Sequence, residues 1–144
     1  MANRNFSRVQ TLDREIKFLF GQALVTDASG AVTLNESLSA GIKSFTYVAQ
    51  GVYDITLGVP SGTADIYPAL IYFGLTMFNA AETGTTGALG QLQVDTVSTD
   101  GVFRIMTLDH NFGAKHPRNG SKIKFVVAVK NSDLSAVGRG VLTE

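Results

Sequence analysis

The sequence predicts a mainly β protein: an antiparallel β-sandwich or barrel-like domain of seven to eight strands with one short N-terminal helix. Three observations carry that expectation. Tyr53, Ile55 and Leu57 alternate with Asp54 and Thr56, and Ile123, Phe125, Val127 and Val129 share one phase of residues 122–130, as side chains do when a strand points them to opposite faces. Turn-forming clusters rich in Gly, Asp and Asn separate such segments at spacings of about ten residues. No repeat of fixed period appears, so solenoids and propellers are not expected.

In chain order, residues 1–21 read as an N-terminal arm and an amphipathic helix, and residues 22–144 as the antiparallel β domain with a C-terminal tail. Ser7 and Gln10 have the spacing of a capping box. Val9, Leu12, Ile16 and Leu19 then step by three, four and three, which puts them on one helical stripe, and Gly21 is the expected stop. So short a helix needs support, either from the protein's own sheet or from the same helix in sister subunits.

Strands follow at 23–26 and 31–34, around the turn Asp27-Ala28-Ser29-Gly30. Residues 36–40 are a short connection. Residues 41–59 form a hairpin turning at Gln50-Gly51, and 60–64 a loop. Residues 66–78 read as one long buried strand, possible to interrupt at Pro68 because proline cannot donate to a sheet ladder. Residues 79–87 are a polar loop. Leu92, Val94 and Thr96 mark the next strand on one phase, the Asp100-Gly101 turn reverses it, and 102–108 returns. Residues 109–120 form a second long loop, 122–130 the last strand, and 132–144 a tail.

Composition bounds the function. The 144 residues suffice for one domain core. Charged residues are 17% of the chain, against about 25% in an average soluble domain. That depletion suits surfaces pressed against other subunits, although a monomer with a Ser/Thr-rich surface is the alternative. Net charge is zero, which gives no bulk attraction for nucleic acid. Its distribution is uneven: residues 21–109 carry eight acids against Lys43 and Arg104, whereas residues 110–124 carry Lys115, Arg118, Lys122 and Lys124 and no acid. Such a chain suits an acidic partner surface or head-to-tail pairing of copies.

There is no cysteine, so thiolate catalysis and cysteine metal sites are excluded. The opening MANRNFSRVQ has no apolar segment of a secretion signal, and the longest apolar run is too short to cross a bilayer as a helix.

The residues offer no catalytic, cofactor or metal constellation. His110, with Asp109 beside it, and His116 are six apart in a loop, a wider spacing than metal sites prefer; no serine lies in a G-x-S-x-G elbow, and Gly84, Gly87 and Gly90 lack the lysine of a phosphate loop. Asp54 and Asp65 could serve as paired carboxylates, although isolated surface aspartates are much commoner. Lys122, Lys124 and Phe125 are better explained by strand alternation than by stacking on nucleic acid. The expectation is a structural protein, not an enzyme.

Residues 4–17, R-N-F-S-R-V-Q-T-L-D-R-E-I-K, the hairpin that follows, and Gly51–Gly58, G-V-Y-D-I-T-L-G, resemble small accessory proteins of tailed-bacteriophage heads, the capsid decoration or cement proteins. The resemblance is best over the first sixty residues. It implies a homotrimer on the outer surface of a virion, made in the host cytoplasm, whose partner is the major capsid protein, with no nucleic acid, membrane, cofactor or small-molecule substrate. The mechanism it implies is mechanical: many modest contacts bridge capsid subunits and act together. On that reading Arg4, Phe6 and Arg8 reach the shell, Val9, Leu12, Ile16 and Leu19 hold the arm to the body or to sister subunits, and Lys115, Arg118 and Lys122 are a second candidate contact. A receptor- or glycan-binding tail-fibre domain is the alternative, using loops 79–87 and 109–120 with Phe112 exposed.

Overall fold

The computed structural model describes residues 16–78 and 89–131. Its eight strands are β1 (Ile16–Val25), β2 (Val32–Leu34), β3 (Ile42–Ala49), β4 (Val52–Leu57), β5 (Ala69–Phe78), β6 (Leu89–Thr96), β7 (Val102–Leu108) and β8 (Lys122–Lys130), with one 3-10 turn at Glu36–Leu38. They form two four-stranded antiparallel sheets, ordered β2-β1-β8-β5 and β3-β4-β7-β6. The mainly β, sandwich-like class read from the sequence is the observed one.

One buried cluster joins the sheets. Leu19, Ala23 and Val25 of β1 and Ile123, Phe125, Val127 and Val129 of β8 face Phe45, Tyr53, Ile55, Phe103 and Ile105 of the second sheet. Aromatic contacts cross the interface, with Phe45 5.7 Å from Phe125 and Phe73 5.4 Å from Phe103, centroid to centroid. Offset and tilted aromatic pairs of this kind add to the area they bury.

Among the described residues the N-terminal helix is not seen. Residues 16–21, expected to end it, are the first half of β1, and Gly21 lies within the strand instead of stopping a helix. Val9 and Leu12 lie outside the described residues. Ile16 and Leu19 do not share a stripe: Leu19 is buried against the core, whereas Ile16 points the other way with Phe18 and Phe20. The physical reason is the nine-pair ladder from Ile16↔Lys130 to Leu24↔Lys122, which satisfies the backbone along the strand and outweighs a weak local helical preference.

Two strand expectations change in detail. β5 begins at Ala69, just after Pro68, and Tyr67 before it is buried, donating its main-chain N–H to Val97. In β6 a register shift between Leu92 and Val94 puts them on opposite faces: Leu92 pairs with inward-facing Ile105, Val94 with outward-facing Arg104. A bulge adds one residue and thereby inverts the alternation.

Candidate interaction face

The side of the first sheet turned away from the core is built by β1, β8 and β5. Residues directly opposite in an antiparallel ladder share a face, so the pairings define rows across it. Phe18 lies beside Ala128 and Tyr72, Phe20 beside Val126 and Gly74, Gln22 beside Lys124 and Thr76, and Leu24 beside Lys122 and Phe78. A last row joins Ile16, Lys130 and Ala69.

Phe18, Phe20, Tyr72 and Phe78 are 51–60% exposed, with Leu24, Val126 and the bulged Ile71 also open to solvent. The alternate residues of β1 and β8, such as Leu19 at 2% and Phe125 at 4%, are buried, and Phe73 and Leu75 of β5 are half-buried. Scattered exposed apolar residues are ordinary, but four large aromatics on one side of three adjacent strands form a patch of the kind that marks interaction surfaces.

Tyr72 folds down along its own strand. Its hydroxyl and Cε1 lie 2.8 and 2.9 Å from where a Cβ on Gly74 would be, so Gly74 makes room for the ring. Beside it, Tyr72, Gly74, Thr76, Lys124 and Val126 line a shallow depression of about 330 Å³.

The second sheet presents a different outer face. Arg104 donates from Nε to Asp54 Oδ1 (2.7 Å) and from Nη2 to Oδ2 (2.9 Å), across a directly opposed pair of β4 and β7. These hydrogen bonds, and then the carboxylate's charge, hold the guanidinium above its ordinary pKa. With Val94, Thr96, Asp100 and Val102 the pair lines a depression of about 210 Å³. Asp65 has a separate partner, accepting from the Tyr67 hydroxyl (3.3 Å), which itself accepts from Lys17 Nζ (2.7 Å). Asp54 and Asp65 are therefore engaged separately and form no acid–base pair.

The histidines also part company. His110 is exposed, whereas His116 accepts from the Gly51 main-chain N–H at Nδ1 (3.3 Å), lies 5.6 Å from the Tyr47 ring and occupies the space of a side chain at Gly30. It thus ties the β1–β2 turn, the β3–β4 turn and the β7–β8 loop together. Among the described residues no group of three or more His, Asp or Glu could hold a metal ion.

Of the residues expected to contact a partner, Arg4, Phe6 and Arg8 lie outside the described residues. Lys115 is fixed by its main chain to Thr107 beside the Gly51 turn, and Arg118 accepts from Ser121 N–H in the turn before β8. Lys122 alone of these three stands on the outer face of the first sheet, in one column with Lys124 and Lys130. The aromatics of that face were not anticipated as a site. Their signal is the apolar character of both phases in KFLF and LIYF, which marks a strand with two faces to cover but does not say what covers the second.

Phe112 is 75% exposed at the tip of the 109–113 turn, with φ +60. Asp109 Oδ1 accepts from Asn111 and Gly113 N–H (2.8 and 3.0 Å) and holds the turn from inside. No family model, characterised protein or solved structure matches the chain.

Proposed function

We propose that this chain is a non-catalytic assembly protein of the capsid-decoration kind, which forms a homotrimer and stabilises a protein shell by bridging its subunits. The observation that supports the reading is the outer face of the first sheet, where Phe18, Phe20, Tyr72 and Phe78 stand exposed on either side of the lysines of β8. Interface cores are enriched in aromatic residues and poor in carboxylates, and a few aromatic anchors dominate binding. Arg4, Phe6 and Arg8 stay in this proposal as the arm that reaches the shell.

Light scattering of the purified chain over a dilution series, followed by cosedimentation with assembled phage heads, tests it. The expected result is a stable trimer that sediments with the heads, and a Phe20→Ser/Tyr72→Ser variant of unchanged secondary structure that stays in solution. A monomer at every concentration counts against it.

Phe112 supports a second reading, a receptor- or glycan-binding domain of a phage tail. A non-glycine residue at positive φ is uncommon, and this one presents its ring to solvent. Glycan-array binding lost in Phe112→Ala, with no binding to heads, would favour that reading.

A further inference from the structure

We propose that the outer face of the first sheet takes a carboxylate-bearing, apolar surface of a different protein and is unsuited to pairing with the same face of a second copy. This deepens the assembly reading and rests on it. The reason lies in the charges of the face. Lys122, Lys124 and Lys130 form a column along β8, and each has only neutral neighbours across the ladder: Leu24 and Phe78, Gln22 and Thr76, Ile16 and Ala69. No carboxylate stands in any of these rows, and the ion pair of Arg104 with Asp54 is on the other sheet.

Alternate residues on a strand are about 6.8 Å apart, so the ammonium groups of Lys122 and Lys124 repel one another, with no counter-charge between them among the described residues. A two-fold contact between copies through this face would set one lysine column against another, and like charges brought together oppose association. A partner carrying carboxylates relieves the repulsion. Its apolar side chains would meet Phe18, Phe20 and Tyr72 on one side of Lys124 and Leu24 and Phe78 on the other. The depression beside Gly74 has Lys124 at its rim and the Tyr72 ring as a wall, which fits an apolar side chain flanked by an acid.

The column is too short for a polyanion. Nucleic-acid binding draws on many phosphate contacts, whereas this chain carries twelve acids against twelve bases. A local protein surface needs only three matched charges.

The test uses the full chain and three fluorescent probes: a random Glu/Tyr copolymer, an oligothymidylate, and vesicles containing phosphatidylserine. The expected result is binding to the copolymer in preference to the other two, weakened by salt. In Lys122→Glu/Lys124→Glu it falls by about tenfold or more, equivalent to at least one matched charge contact, while the thermal midpoint stays put because both side chains are exposed. Lys122→Gln/Lys124→Gln, the milder variant, should lose affinity to a smaller degree. Copolymer binding that ignores both variants, no copolymer binding, or tighter binding to oligothymidylate or vesicles overturns the partner chemistry. Light scattering on the same samples separates the two claims. An oligomer whose copolymer binding ignores the lysines overturns this inference alone, whereas a monomer with lysine-dependent copolymer binding overturns the homotrimer and leaves the partner chemistry standing.

Discussion

The ring of Phe125 rests on Gly21, its direct partner across the β1–β8 ladder, in the space where any side chain at position 21 would begin. From that position Phe125 also reaches Phe45 and Phe73, so this glycine lets one ring join both sheets. Gly21→Ala should therefore lower stability by about 1–3 kcal/mol through overpacking. A lower urea midpoint checks it, and an unchanged or higher midpoint would mean that the Phe125 ring can move aside.

Tyr53 is fully buried, and its hydroxyl finds no hydrogen-bond partner among the described residues. Burial first, then the nearby Tyr47 and Asp27, pushes its pKa further up, so the phenol stays neutral through the working pH range. Tyr53→Phe removes an unsatisfied group and keeps the ring. Its unfolding free energy should be unchanged or higher by up to about 1 kcal/mol, and a loss above about 1 kcal/mol would reveal a partner for the hydroxyl.

Gly30 meets the His116 imidazole and has φ +87, so Gly30→Ala suffers both a clash and backbone strain, expected to cost about 2–4 kcal/mol together. In a His116→Ala background the clash is gone and the strain persists. A double-mutant cycle should show a smaller but still unfavourable effect of Gly30→Ala, whereas strictly additive costs would dissociate the histidine from that turn.

Asp27 and Asp109 close two similar turns, and both carboxyls lie below the ordinary range. For Asp27 the chief cause is the Ser29 hydroxyl, then the Ala31 N–H; for Asp109 it is the Gly113 N–H, then the Asn111 N–H. A folded-state pKa below the unfolded one means that the unfolded chain takes up the proton first. The stabilisation is thus complete above the unfolded value of about 4 and is lost as pH falls through the lower folded values. Asp27→Asn and Asp109→Asn should each flatten the acid limb of a stability–pH profile measured by urea unfolding, with little change in its slope above pH 6.

Much of this fold was legible locally. The 41–59 hairpin, the Asp27–Gly30 and Asp100-Gly101 turns and the buried phase of β8 follow from alternation and turn chemistry, because each depends on neighbours close in sequence. The three-four-three spacing that suggested a helix failed for its described half, since Ile16 and Leu19 also fit a strand, on opposite faces, and only β8, more than a hundred residues away, decides between them. The bulge that separates Leu92 from Val94 likewise leaves no local mark.

Sequence alone determined the β class, the absence of thiol chemistry and the low content of charged residues, all properties of composition and period. The outer face was decided by tertiary structure. β8, the last strand, inserts between β1 and β5, and only that insertion gathers Phe18, Phe20, Tyr72 and Phe78 around Lys122, Lys124 and Lys130. An alternating pattern tells which residues of a strand share a side, but not which strands lie together; that is set by long-range pairing, where one ladder satisfies the backbone and one core is filled.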